Sequence, residues 1–285
     1  MSPTQVHINE PLLRKGRPGL HALGDPGADR LPPLVLVSAA VRRPMEVAWN
    51  SNKVRCSDCH LRESCLPGGL TREELEHIDS RLVKVRRKVA HGESLFHAGD
   101  RFDAVFEIWT GFFKTVIATS QGREQVTGFQ MGGELMGLDG IDTGRYSVDA
   151  VALEDSQVCV IPYEVLETLG REIPSLQKQF YRIMSREIVN DHRVMLHLGS
   201  MHAEERVAAF LIDLTDRLRT RGFSASSLVL RMSREEIGSF LGLKLETVSR
   251  TFSKFQASGL LFVRQRQIQI TDPVGLQHLL EDVTV

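Results

Sequence analysis

Net charge is almost absent from this chain: 35 Lys and Arg stand against 36 Asp and Glu, a formal balance of −1. Overall charge therefore gives no reason to bind nucleic acid or an anionic surface, and any basic patch must be local. No run of about 18 apolar residues occurs, so no transmembrane helix and no membrane partner are expected. The N-terminus lacks the uninterrupted apolar stretch of a secretory signal, which makes the cytoplasm the expected compartment. Signatures of common catalysts are missing too. There is no nucleophile elbow, P-loop or dinucleotide fingerprint, and no H-x-H pair for a jelly-roll metalloenzyme, since His91 and His97 stand six apart. An enzyme is not expected. Cysteine is scarce, with four in 285 residues.

Those few thiols are not scattered. Cys56, Cys59 and Cys65 fall within "RCSDCHLRESCLP", and Cys159 lies in "SQVCVIP". In a reducing compartment, clustered thiols more often bind metal or react than form disulfides. Structural zinc sites usually pair two close-spaced ligand couples, and this spacing, with a lone partner 94 residues after Cys65, fits that pattern less well. Plain redox thiols are the alternative reading, and His60 reads as a solvated loop residue.

Four segments follow from the texture of the chain. Residues 1–50 are rich in Pro, Gly and Arg and read as a disordered extension. Residues 51–173 hold the cysteine loop, a helix opened by a capping box at Thr71 and Glu74, and short apolar runs punctuated by glycine that suggest a small antiparallel barrel or jelly roll. Residues 174–200 form a long helix in which Tyr181, Met184, Ile188, Asp191, Met195 and Leu198 are spaced 3, 4, 3, 4, 3, the rhythm of a coiled-coil seam between two copies. Packing on its own barrel is the alternative. Asp191 would face its counterpart across the seam and repel it.

Residues 201–285 begin with an amphipathic helix carrying Val207, Phe210, Leu211, Leu214 and Leu218, then a linker, "RTRGFSASS". A second capping box, Ser233 with Glu236, opens a helix whose inward face is Ile237, Phe240 and Leu241. Gly242 permits a sharp turn into a further helix, with Val248, Phe252 and Phe255 inward and Glu246, Ser249, Arg250, Ser253 and Lys254 outward. "LLFVRQRQIQI" supplies a β-hairpin wing. Between Arg231 and Ile270 seven Lys and Arg face three Glu, a local surplus of four positive charges that suits phosphate contact. Arg250 can donate twice to guanine O6 and N7, and Glu246 can accept from cytosine N4. Lys244, Thr247 and Lys254 complete the candidate DNA-facing set. The bland alternative is a solvated helix face with a Glu246–Arg250 pair.

Taken together, a glycine-rich barrel, a long helix and a winged helix-turn-helix reading "GLKLETVSRTFSKFQASGLL" resemble the CRP/FNR family of bacterial transcription regulators. C-x2-C-x5-C, "CLP", "GREQVTGFQMGGELMGLDGI", "SQVCVIP" and "HAEERVAAF" resemble its FNR type, over roughly residues 56–275. The resemblance implies an α+β chain: a cyclic-nucleotide-binding-like β-barrel, a dimerisation helix and a C-terminal winged helix-turn-helix. It implies one oxygen-labile 4Fe–4S cluster per chain on Cys56, Cys59, Cys65 and Cys159. A cluster-bound homodimer would read a TTGAT–N4–ATCAA-like palindrome in double-stranded DNA with the E-x-x-S-R residues Glu246, Ser249 and Arg250. Cluster binding would offset the Asp191 repulsion, and oxygen would reverse this, so that anaerobic genes are activated or repressed. The loop from Leu138 to Gly144 would touch RNA polymerase. Lys244 departs from the family, where Thr or Ser often caps this helix. A cyclic-nucleotide-responsive regulator is the rival on the same fold: Gly133, Glu134 and Arg145 are present, but Tyr146 follows Arg145 where Ser/Thr-Ala is usual.

Overall fold

The computed structural model describes residues 55–119 and 122–280. The disordered extension expected over residues 1–50 lies outside them. The first capping box forms as expected: Thr71 Oγ1 accepts from the Glu74 N–H, and a Glu74 carboxylate oxygen accepts from the Thr71 N–H at 2.8 Å. It opens helix α1 (Arg72–Ile78), which buries Leu75 and Ile78.

Eight strands follow: β1 (Val85–Val89), β2 (Ser94–Phe96), β3 (Ala104–Thr110), β4 (Phe112–Ala118), β5 (Glu124–Met131), β6 (Leu135–Met136), β7 (Asp149–Ala152) and β8 (Ser156–Pro162). They form two four-stranded antiparallel sheets, ordered β1-β8-β3-β6 and β2-β7-β4-β5. Strand β3 is buried on both faces, and the period of two explains how. Ala104, Phe106 and Ile108 enter the barrel interior with Phe113 and Val158, while Val105 joins the core under the helices.

That outer core is capped by α2 (Tyr163–Glu172) and the start of α3 (Pro174–Ser200), where Leu166, Leu169 and Leu176 are buried. Beyond Phe180 the long helix buries no residue fully, and its last contacts with the barrel core are those of Ile183 and Met184. Tyr181, Ile188 and Met195 are 58%, 54% and 59% exposed, so most of the stripe read from the sequence has no cover among the described residues, whereas Met184 packs partly against the barrel core.

Helix α4 (Ala203–Arg219) leads to β9 (Ser227–Val229), α5 (Arg234–Leu241), α6 (Leu245–Ala257), β10 (Leu261–Arg264), β11 (Gln267–Ile270) and α7 (Pro273–His278). Ser233 and Glu236 cap α5, and Gly242 ends it in the left-handed region, φ 64°. The wing holds one more strand than the sequence suggests. β9 pairs with β11, and its first residue, Ser227, closes the stretch read as linker. Phe240 turns inward with Ile237 and Leu241 as expected, half-buried beside Phe210 of α4, and it also packs edge-on against Phe129 of β5 at 5.3 Å, so α5 docks on the barrel. Lys114 Nζ, 2.8 Å from a Glu236 carboxylate oxygen, reinforces that contact.

Candidate thiol site and nucleic-acid interface

Strand register brings three side chains to one row on the outer face of the barrel. Cys159 in β8 stands opposite Arg86 in β1 and opposite Glu107 in β3. Over this row lies the cysteine loop, and two carboxylates anchor its ends. Asp79 Oδ1 accepts the N–H of Cys56 at 2.8 Å and of Ser57 at 3.1 Å, and the Ser57 hydroxyl donates to Asp79 Oδ2. At the other end the Leu66 N–H donates to Glu107 Oε2 at 3.2 Å. All four thiols are unpaired, and all line a single concavity with Arg86, Glu107 and Trp109, enclosing about 410 Å³ with its mouth included.

The thiols differ in acidity. A hydrogen bond from the Cys65 thiol holds Cys59 down to about 5, helped by the Arg86 charge. Giving that bond, and burial, push Cys65 well above the ordinary range. Burial raises Cys56 to about 12 and Cys159 to about 11. Glu107, wholly enclosed, is raised by burial to about 7. The Arg86 guanidinium lies 4.0 Å over the Trp109 ring, and its Nε is buried without a hydrogen-bond partner.

Among the described residues, no three His, Cys, Asp or Glu side chains already stand in an arrangement that grips a metal ion. The donor chemistry nevertheless fits an iron–sulfur cluster. A cubane takes four thiolates, four are available, and a half-buried cation whose Nε–H is buried and idle sits beside them, as an anionic group requires. His60 packs its ring edge-on to Trp109 at 6.1 Å and does not line the concavity.

In the C-terminal module, α6 exposes Glu246, Ser249, Arg250 and Lys254, while Thr247 is half-buried. Lys244 sits at the N-cap with no side-chain capping bond. Among the described residues no ion pair joins Glu246 to Arg250, so both remain available outward. Lys254 is engaged: its Nζ lies 2.5 and 2.7 Å from the Glu204 carboxylate oxygens. Arg231 pairs with Glu154 at 3.2 Å, and Arg234 stacks 3.6 Å over Phe252. Part of the local positive surplus is therefore spent inside the fold.

Residues 86–172 match the cyclic nucleotide-binding domain and residues 205–279 the Crp-like helix-turn-helix domain. Three relatives are similar over most of their length. The transcriptional regulatory protein btr of Bordetella pertussis is 44% identical, covering 82% of this chain and 96% of that protein. The transcriptional activator protein anr of Pseudomonas aeruginosa is 46% identical, covering 79% and 91%. The fumarate and nitrate reduction regulatory protein of Escherichia coli is 40% identical, covering 79% and 90%. Among solved structures, FixK2 from Bradyrhizobium japonicum is similar with a TM-score of 0.63 and 29% identity, over 68% of this chain and 96% of that one. The chain is an FNR-type member of the CRP/FNR family.

As such it is a DNA-binding transcription regulator and not an enzyme, with the α+β architecture expected from its sequence. In this FNR-type regulator the residues that resemble a nucleotide cassette have internal partners. Arg145 Nη1 donates to Gly99 O at 2.7 Å, and Glu134 is held by two arginines. Tyr146 fills the barrel, stacked 4.1 Å from Phe96 with its hydroxyl donating to Ala104 O at 2.8 Å. Sequence reasoning missed Asp79, Arg86, Glu107 and Trp109. Only Glu107 left a signal, as a lone charge in the apolar run "AVFEIWTG".

Proposed function

We propose that this regulator responds to oxygen through one 4Fe–4S cluster per chain held by Cys56, Cys59, Cys65 and Cys159, and binds a TTGAT–N4–ATCAA-like palindrome as a homodimer. The carrying observation is that every cysteine of the chain lines one concavity, although Cys159 comes from a different element than the other three. A bound cluster would supply an oxygen-labile redox centre there. The chain's own residues prepare the place. Asp79 and Glu107 fix the ends of the loop, Cys59 presents a thiolate at neutral pH, and Arg86 supplies a compensating positive charge.

The uncovered stripe of α3 supports dimerisation through Tyr181, Ile188, Met195 and Leu198, with Met184 at its barrel end and exposed Asp191 as the repulsive member. The segments 51–173, 174–200 and 201–285 then serve as sensor, dimer helix and DNA reader. Two α6 helices one turn of DNA apart, about 34 Å, would present Glu246, Ser249 and Arg250 to bases and Lys244 to phosphate. Controlling anaerobic genes from such a site, the dimer activates or represses according to where the site lies. The loop from Leu138 to Gly144 exposes Asp139, Asp142 and Thr143 and is assigned to RNA polymerase contact. Tyr146 inside the barrel counts against the cyclic-nucleotide alternative.

Protein purified without oxygen should carry about four iron and four sulfide per chain, absorb in the visible, and lose both colour and affinity for the palindrome when air is admitted. Colourless protein that binds the duplex equally well with and without air would overturn the sensor.

A further inference from the structure

The turn between β5 and β6 consists of Gly132, Gly133 and Glu134, and it touches two parts of the molecule at once. On one side is the cysteine loop. A side chain at Gly133 would begin 3.0 Å from Ser64 Cβ, and one at Gly132 would begin 3.6 Å from Leu61 Cδ1. Leu61 and Ser64 both lie between Cys59 and Cys65. Because Gly132 and Gly133 carry no side chains, the Leu61 and Ser64 side chains rest directly on the backbone of the turn, and a shift of that segment presses on it.

On its other side the turn grips the DNA-binding module. Arg217 donates from Nε to Glu134 Oε1 at 3.0 Å and from Nη2 to Oε2 at 2.6 Å, a two-point fork. Arg221, one turn further along the chain, donates from Nη2 to Oε1 at 2.7 Å and from Nε to the Gly132 carbonyl. Arg217 Nη2 also reaches Phe129 O at 2.6 Å. The three side chains are 19%, 24% and 9% exposed, so water screens them little. Glu134 is fixed in turn, since its Oε2 accepts the Met131 N–H at 3.0 Å and its backbone carbonyl accepts the Ile108 N–H at 3.0 Å. Forked guanidinium–carboxylate bonds are directional, so moving the turn moves the end of α4 with it.

We infer that Glu134, bracketed by Arg217 and Arg221, transmits the state of the cysteine loop to the DNA-reading module within one chain. This rests on the reading that the loop's thiols control DNA binding, and it adds a route that does not pass through the dimer helix.

The test uses the full chain and the variants Glu134→Gln, Glu134→Asp and Arg221→Lys. In wild type, loaded and metal-free protein should differ in affinity for the palindromic duplex by about 5- to 150-fold, the ordinary range of coupling between sites. Glu134→Gln should load the same iron and sulfide yet bring that ratio near one, and Glu134→Asp should restore it. A second readout needs no cluster. Coupling is reciprocal, so adding the duplex to metal-free wild type should change the rate at which iodoacetamide alkylates Cys59, and should not in Glu134→Gln. If Glu134→Gln folds or loads poorly, Arg221→Lys must show the same uncoupling. A wild-type ratio in these variants, or no effect of duplex on alkylation of the metal-free wild type, refutes the route. Wild type that takes up no iron while duplex still alters alkylation refutes the cluster and leaves the route standing.

Discussion

Replacing Arg250 with Ala tests the reading of α6 more sharply than any other single change. Arg250 is exposed on the outward face, one turn beyond Glu246 and unpaired with it. Truncating an exposed side chain away from such features alters folding by no more than about 0.5 kcal/mol, so the melting temperature should move by less than about 2 °C. Its cost should appear at the base it reads. A bidentate arginine–guanine pair discriminates by about 1–3 kcal/mol, and the palindrome offers one such guanine in each half-site. Well-separated positions add, giving about 2–6 kcal/mol for the dimer, or roughly 30- to 20,000-fold in affinity. Fluorescence anisotropy with a labelled TTGAT–N4–ATCAA duplex at fixed salt would measure this. Duplexes with the guanine replaced should bind wild type weakly and Arg250→Ala almost as well as the unaltered site. If the variant instead loses affinity equally on every sequence and its salt dependence falls by about 0.9 per protomer, Arg250 is a phosphate contact. The base-reading assignment would then be wrong.

Two further predictions concern the thiol site in metal-free protein. Iodoacetamide should modify Cys59 before the other three cysteines at neutral pH, with a rate that falls as pH drops through about 5, because only there does its thiolate take up a proton. Cys65→Ala, which removes the donated hydrogen bond, should move that inflection upward, and mass spectrometry would read both; uniform labelling of all four would contradict the assigned geometry. The second concerns Glu107, whose folded value of about 7 lies above the ordinary carboxylate value of 4.5. Between those values the folded chain keeps a proton that the unfolded chain has lost, so stability should decline as pH rises from about 4.5 to about 7. The decline amounts to about 3 kcal/mol at most. Glu107→Gln should flatten that part of the curve in thermal melts across pH, and an unchanged slope would show that Glu107 is ionised in the fold.

Local features of the structure were legible in the sequence because their causes are local. Both capping boxes, Thr71 with Glu74 and Ser233 with Glu236, form as their spacing predicts, and Gly242 takes the left-handed turn that only its missing side chain makes easy. Three residues of Ser227–Val229 are too few to show an alternation, so nothing in the sequence separates β9 from the linker before it. Phe240 reads as core by helical period and is half-buried there beside Phe210, but it also meets the barrel ring Phe129, which no periodicity within α5 can announce. The thiol site divides in the same way. Cys56, Cys59 and Cys65 announce themselves by spacing, and Cys159 by resemblance. Arg86 and Glu107 join them only through the register of three strands, a relation between residues far apart in the chain. Lys254 and Glu204 show the converse, a cation read as free that is occupied by a helix preceding it by 50 residues.

The two halves of the thiol site are not equally able to move. Arg86, Cys159 and Glu107 belong to adjacent strands whose ladder bonds fix them whether or not the loop is in place. The loop is tied at Cys56 and Ser57 by Asp79 and at Leu66 by Glu107, which leaves the backbone from Asp58 to Cys65 held mainly by its own short turns, such as the Cys59 N–H to Cys56 O at 3.2 Å and the Arg62 N–H to Cys59 O at 3.1 Å. Drawing four thiols together must therefore displace this middle portion toward the barrel rather than the reverse. Leu61 and Ser64 lie in it, and they are the residues that rest against Gly132 and Gly133. The displaceable part of the loop is thus the part in contact with the turn that carries Glu134, which is where a response to the thiols can leave the site mechanically.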